Sequence, residues 1–385
     1  MSGVRVVVTA CDVISAFGKG IDPLWQGLLH KRSMVGPSAR LEAARFKHPP
    51  AAECPLVDHR RHESVVWQLC RHLLEGVDPG TIGQDAQVYL ATTVGEIGLL
   101  ERALERGEDC SLSNPSRLLR KVRALLGCEQ HPAAVLSAAC ASGSAALAVA
   151  AQHIRLGRTR SAVVVACDSV SEFVTAGFSC LMALDASGAR PFDAGRAGLS
   201  LGDGAGFMVL MDERLAAEKG CAPLAELAGY GLSDDANHIT GPSRDGAGLA
   251  EALRQALRTA GTAAGDVACI SAHGTGTVYN DAMEMKAFKS IFSAPVPVYG
   301  IKGAIGHTLA AAGLIECALA IRVLQERRIP PVAGLQREDE TARGWVHRES
   351  VPVGRGAALC VNAGFGGINA ALCIKGEEDK TKKGE

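Results

Sequence analysis

The run Ser137-Ala138-Ala139-Cys140-Ala141-Ser142-Gly143-Ser144 lies between an apolar stretch that reads as a strand, Ala134 to Ser137, and an alanine-rich stretch that reads as a helix, Ser144 to Leu156. A thiol at such a junction faces the positive end of the helix dipole, which lowers its pKa and favours the nucleophilic thiolate. Two later segments carry a histidine in a similar setting: Ala272-His273-Gly274-Thr275-Gly276-Thr277 and Lys302-Gly303-Ala304-Ile305-Gly306-His307. By itself Cys140 is one of 13 cysteines and reads as a core thiol. Its position, together with two imidazoles at comparable strand and helix ends, points instead to catalysis. Glycines on both sides of Thr275 permit close backbone approach. Lys302 lies in an otherwise uncharged stretch from Pro295 to Ala312, where a solvated lysine is not expected.

Outward from this run, short β-branched segments alternate with helical patterns. The strands expected are Val4–Thr9, Gln87–Thr92, Ala134–Ser137, Ala162–Cys167, Phe207–Met211, Pro223–Tyr230, Val267–Ser271, Val296–Gly300, Ala357–Val361 and Ala370–Ile374. Helical patterns cover Pro23–Leu29, Glu63–Leu74, Ser116–Leu126, Ser144–Leu156, Gly248–Thr259, Asp281–Ile291 and Thr308–Arg327. The alternation predicts an α/β fold with buried sheets. The halves also resemble each other. Cys140 opens a small-residue helix followed by a glycine turn, Gly202-Asp203-Gly204-Ala205-Gly206, and a strand. His307 opens another, followed by Gly364-Phe365-Gly366-Gly367 and a strand. The expected organisation is an internal duplication: residues 1–216 carry the cysteine and residues 217–375 both histidines. The charged segment 376–385 reads as a disordered tail.

Composition narrows the function. The chain has 385 residues, 47% of them hydrophobic, enough for a large core. The formal net charge of −1 gives no overall pull towards nucleic acid or an anionic membrane. No two cysteines form a C-x-x-C pair, which removes support for zinc or thioredoxin-like readings. The apolar neighbours of Cys167, Cys269, Cys317, Cys360 and Cys373 suggest reduced core thiols and a cytoplasmic setting. The segment Pro132 to Ile154 lacks charge but is alanine-rich and carries Ser137, Ser142, Ser144, Gln152 and His153, so it reads as a buried strand and helix, not a membrane span. The N-terminus lacks an export-signal pattern.

In this order the motifs resemble the β-ketoacyl-acyl-carrier-protein synthases, decarboxylating condensing enzymes of the thiolase fold. They are Val6-Val7-Val8-Thr9, Gly18-Lys19-Gly20 before Trp25, Ala139-Cys140-Ala141-Ser142-Gly143, and Arg190-Pro191-Phe192-Asp193 with Arg196. Then come His273-Gly274-Thr275-Gly276-Thr277 with Asp281 and Glu284, Lys302 with Gly306-His307, Ala311-Ala312-Gly313 with Glu316, and Gly364-Phe365-Gly366-Gly367 with Asn369. The resemblance implies a layered α-β-α-β-α architecture with two mixed sheets around buried helices. It implies Cys140 as the acylated nucleophile, His273 and His307 as donors to the malonyl thioester carbonyl, and Lys302 and Glu316 as the network that orients them. The amides of Cys140 and Phe365 would form the oxyanion hole, Phe365 would gate the acyl pocket, and Thr275 and Thr277 would bind substrate. No metal or organic cofactor is implied, because the phosphopantetheine arm arrives on the acyl carrier protein. The implied assembly is a homodimer, or a heterodimer with a related ketosynthase-like subunit.

Several residues also have purely structural readings. Asp281 and Glu284 suit a helix start, Asp193 and Arg196 an ion pair, and Arg117, Arg120, Lys121 and Arg123 either a solvated face or a docking site for an acidic carrier. The chain departs from the family pattern at Ala10-Cys11-Asp12, Asp203, Ala363 and Ile368, and is short between about Pro50 and Pro132. These departures suggest a specialised synthase, in a polyketide or polyene pathway or in fatty acid synthesis. The alternatives are a chain-length-factor-like subunit, against which the cysteine and both histidines argue, and a non-decarboxylating thiolase. A thiolase would use a second cysteine as base, and none stands near Gly364-Phe365-Gly366-Gly367. Some other cysteine enzyme, such as a hydrolase, would leave the Lys302–His307 segment without a role.

Overall fold

The computed structural model describes residues 4–41, 50–83 and 85–377. The first half contributes strands β1 (Val6–Ser15), β2 (Gln87–Ala91), β3 (Ala133–Leu136), β4 (Ser161–Asp168) and β5 (Gly204–Asp212). The second contributes β6 (Ala225–Asp234), β7 (Val267–Ser271), β8 (Val298–Tyr299), β9 (Ala357–Ala363) and β10 (Ile368–Gly376). The principal helices are α1 (Val65–Leu74), α2 (Ile97–Arg106), α3 (Pro115–Leu125), α4 (Ser142–Arg155), α5 (Glu172–Cys180), α6 (Ala247–Ala260), α7 (Val278–Ile291) and α8 (Ala312–Glu326).

The first five strands lie in the order β1-β5-β4-β2-β3 and the last five in the order β6-β10-β9-β7-β8. Both are first-fifth-fourth-second-third. In each array the first two pairings are antiparallel and the last two parallel. The two mixed arrays join edge to edge where Val7 and Val8 of β1 meet Glu226 and Ala225 of β6, giving one continuous sheet.

Apart from the edge strand β3, whose first two residues are exposed, the strands are largely buried on both faces, and alternate residues enter different cores. In β4, Ala162, Val164 and Ala166 face the central helices α4 and α8, while Val163, Val165 and Cys167 face α1 and α3. In β9, Ala358 and Cys360 face the centre, and Ala357, Leu359 and Val361 face α6 and α7. Three cores separated by two sheet arrays are the α-β-α-β-α layering. The central helices meet at glycine: a Cβ on Gly143 would lie 2.5 Å from the Ala310 carbonyl oxygen, and one on Gly313 would lie 2.6 Å from the Ser144 nitrogen.

That close packing also explains a correction. The expected glycine turn at 202–206 is mostly extended, because Gly204 and Gly206 belong to β5. Their glycines are required by contact, not by turning: a Cβ on Gly204 would lie 2.7 Å from Thr308 Cβ, and one on Gly206 would lie 2.9 Å from Leu314 Cβ. At the other end of the chain β10 runs through Gly376, and Glu377 pairs with Arg5 at 2.7 Å. The rest of the expected tail, residues 378–385, lies outside the described residues. Among the described residues no helix is long and apolar enough to cross a membrane.

Candidate active site

Cys140 sits between β3 and α4, held by a tight backbone path. Ala139 adopts φ 48°, a left-handed conformation unusual for a residue with a Cβ. The Ser142 hydroxyl accepts from Ala138 N–H at 2.8 Å and donates to the Ala139 carbonyl at 2.5 Å, closing the turn. The amides of Phe365 and of Cys140 itself are directed at the Cys140 sulfur. Burial pushes the thiol up to about 12, opposed by the Lys302 charge and these amides and reinforced by Asp168. The expectation of a lowered thiol pKa is therefore reversed, because loss of water outweighs the helix terminus.

His273 follows β7. Its N–H and that of Gly274 donate to the two carboxylate oxygens of Glu284, each at 2.7 Å, and Asn280 donates to the same carboxylate at 2.8 Å. Burial and neighbouring Asp281 push Glu284 up to about 8 against these donors. Asp281 accepts from Phe192 N–H and Gly276 N–H. Both acids thus fix the loop that carries His273, a structural use that goes beyond complementing a helix dipole.

Lys302 is buried. It donates to the His273 carbonyl and to Glu316 at 2.6 Å, and its Nζ lies 3.5 Å from His273 Nδ1. Asn362 of β9 donates to Glu316 at 2.7 Å and lies 3.4 Å from the same Nδ1. An ammonium and an amide NH₂ are both donors, so Nδ1 is the acceptor and Nε2 carries the proton. His307 reaches the same state by another route. Leu309 N–H points at its Nδ1 at 3.3 Å, leaving the Nε2 hydrogen without a partner among the described residues. Burial lowers the pKa of both imidazoles well below the usual histidine value. Lys302 lowers each further, and His307 adds to the shift at His273. Their rings stand edge to face with centroids 5.2 Å apart.

These shifts predict a pH effect on stability. A histidine whose folded pKa lies below 6.5 stabilises the protein above that pH, and the contribution is lost as pH falls through it, because only the unfolded chain then takes up the proton. Between pH 6.5 and 5.5 each imidazole should cost about 1 kcal/mol. Urea unfolding of the wild type and of His307→Gln at the two pH values checks this. The variant should lose about 1 kcal/mol less, and equal losses would contradict it.

A pocket of about 400 Å³ brings together Cys140, His273, Thr275, Thr277, His307 and Phe365, with Lys302 and Glu316 behind the histidines. The Thr275 and Thr277 hydroxyls are 2.9 Å apart, and the Phe365 ring packs on Phe178 at 5.3 Å between centroids. Among the described residues no group of three or more His, Cys, Asp or Glu is placed to hold a metal ion. A thiol beside two amides, opposite two neutral imidazole donors, is equipped to hold an acyl group and to stabilise negative charge on a second carbonyl.

Residues 129–216 match the beta-ketoacyl synthase N-terminal domain and residues 224–336 the C-terminal domain. A polyketide beta-ketoacyl synthase 1 of Streptomyces virginiae is 30% identical, with 98% of this chain and 99% of the relative covered. The chain belongs to the β-ketoacyl synthase family. The 3-oxoacyl-[acyl-carrier-protein] synthase 2 of Vibrio harveyi is 29% identical, with 97% of this chain and 99% of that synthase covered. The solved ishigamide ketosynthase/chain length factor has 29% identity and a TM-score of 0.88, covering 98% of this chain and 100% of that one.

Sequence reasoning missed several parts of this β-ketoacyl synthase site. Asn362 is one polar residue in an otherwise apolar strand, and that exception was its signal. Phe178 lies in a helix the sequence pattern did not reveal. Asp193 and Arg196 do not form the expected ion pair. Arg196 donates to Asp339 at 2.7 Å and to the Asp193 carbonyl, while the Asp193 carboxylate accepts from the amides of Gly195, Gln336 and Arg337. In the basic run, Lys121 is committed to Glu96 at 3.0 Å and to the Trp67 ring, and Arg123 to the carbonyls of Cys128 and Glu129.

Proposed function

We propose that the protein is a 3-oxoacyl-acyl-carrier-protein synthase that joins malonyl units to an acyl chain held on Cys140. The observation that carries this reading is the single pocket holding a thiol under two amides and two neutral histidines, one with a free Nε2 hydrogen. In the first half-reaction the Cys140 sulfur attacks the acyl thioester. A carbon–sulfur bond to Cys140 forms, the bond to the carrier's arm breaks, and the thiol proton passes to the departing sulfur. No permanent thiolate is required, which suits a thiol raised by burial.

In the second, malonyl thioester loses carbon dioxide, and the electron pair of the broken bond flows towards the thioester oxygen, where His273 and His307 donate. The resulting carbon nucleophile attacks the Cys140 thioester at a carbonyl held by the Cys140 and Phe365 amides. A carbon–carbon bond forms, the carbon–sulfur bond breaks, and the sulfur regains one proton from solvent. The reaction needs no resident metal or organic cofactor, and its setting is the cytoplasm.

The related synthases are named for carrier proteins and for polyketide assembly, which supports an acyl carrier protein as substrate in fatty acid or polyketide synthesis. A ketosynthase-like partner subunit is supported by the ishigamide pair and by exposed apolar side chains on α2, α5 and the following turn: Leu104, Phe173, Leu181 and Met182, the last 88% exposed. The test is intact-mass spectrometry of the protein offered a panel of acyl-carrier thioesters. One acyl mass should be gained and should map to Cys140. Acylation elsewhere, or at no residue with any chain, would contradict the reading.

A further inference from the structure

Asp168 ends β4 in the cysteine half and is completely buried. Its carboxylate accepts from the Thr92 hydroxyl at 2.7 Å, the Thr93 amide at 3.0 Å and the Thr93 hydroxyl at 2.8 Å, all at the end of β2. Thr92 is itself fixed, accepting from Gly95 N–H at 2.8 Å. The remaining bond leaves this half of the molecule: Ala310 N–H donates to Asp168 at 3.0 Å.

Ala310 belongs to the turn that follows His307. The preceding residue, Leu309, adopts φ 52° despite carrying a side chain, so this peptide path costs energy and needs external support. Leu309 N–H is the group that points at His307 Nδ1. The Ala310 carbonyl, on the other side, rests against Gly143 of α4. Ala310 is thus held at both ends, its N–H by a carboxylate anchored in the first half and its carbonyl by the helix that begins beside Cys140.

We propose that Asp168 is a positioning residue for His307: by clamping the Ala310 amide it holds the left-handed Leu309 turn, keeps Leu309 N–H on Nδ1, and so presents the Nε2 hydrogen to the pocket. The inference rests on the condensing-enzyme reading above, and it assigns no contact between Asp168 and substrate. It explains why a fully buried carboxylate ends the strand at this point, with both oxygens engaged by amides and hydroxyls and, among the described residues, no cation paired to it.

The test follows carbon dioxide release from malonyl-carrier protein alongside acylation of Cys140. With Asp168→Ala, kcat for decarboxylation should fall about 10- to 100-fold, the loss expected when a donor is misplaced by about an ångström. KM should stay within about threefold and acylation should not slow, because loss of the Asp168 charge removes one of the groups that raise the Cys140 thiol. Asp168→Asn keeps an oxygen for Ala310 N–H and should restore kcat to within about fivefold of wild type. Unchanged kcat in the alanine variant would overturn the proposal. So would parallel loss of acylation, or an asparagine variant as slow as alanine. Should the alanine protein fail to fold, Thr93→Val loosens the anchor without removing charge. It should lower kcat about threefold with acylation intact, and equal or absent losses would again overturn the idea. A wild type that releases no carbon dioxide would instead refute the condensing reading itself.

Discussion

Cys140→Gln abolishes condensation, by about 10⁴-fold or more, while malonyl decarboxylation persists or rises. The two outcomes separate because the two half-reactions use different groups. Acyl transfer needs the sulfur: no other atom at that position can form the thioester, and the Phe365 and Cys140 amides would then have no acyl carbonyl to hold. Glutamine supplies a carbonyl of its own at the same depth, which those amides can engage. The pocket then resembles the acylated enzyme, the state in which decarboxylation should occur. His273 and His307 remain neutral donors, since burial and Lys302 set their state, not the thiol. The measurements are product formation by mass spectrometry and carbon dioxide release from malonyl-carrier protein. Chain extension by the variant would mean that another residue carries the acyl group.

The parts of this site visible in sequence were those whose neighbours betray them. Cys140, His273 and His307 stand in runs of small residues, where a reactive side chain has few bland explanations, and Lys302 interrupts an uncharged stretch. Strand β7 was legible to the residue because apolar Val267–Ser271 is followed by glycine-rich backbone. Helix α5 was not. Its sequence, EFVTAGFSC, contains glycine, threonine and valine, all weak helix formers, and its geometry rests on the Ser171 cap and on burial of Val174 and Phe178. The left-handed turns at Ala139 and Leu309 leave no trace in sequence, because neither position is glycine. Asp168 and Ala310 are 142 residues apart, and only the stacked layers reveal that they meet. The rise in the Cys140 pKa was equally hidden. A helix start is a local feature and readable, whereas burial depends on the whole fold.

His307→Ala separates the reaction in the opposite sense: decarboxylation falls by about 10²–10³, the usual loss for one preorganised donor to a developing oxyanion, while acylation of Cys140 stays within several-fold. The effect comes from the Nε2 hydrogen, which is unpaired among the described residues. A buried polar group with no protein partner costs stability, and His307 keeps that cost because the hydrogen is aimed into the pocket rather than into the core. Removing the ring also strands Leu309 N–H, which had His307 Nδ1 as acceptor, so some stability loss should accompany the kinetic one. His307→Gln distinguishes the two effects, because its amide can fill the space and still donate, though from a different point. It should fold better than the alanine variant and recover part of the decarboxylation. Acylation is the control, since it depends on the sulfur and the amides of Cys140 and Phe365, none of which touches this ring through a hydrogen bond. Carbon dioxide release at the wild-type rate from His307→Ala would remove His307 from the chemistry and leave His273 as the lone donor. Loss of acylation in step with decarboxylation would instead assign His307 to holding the pocket together.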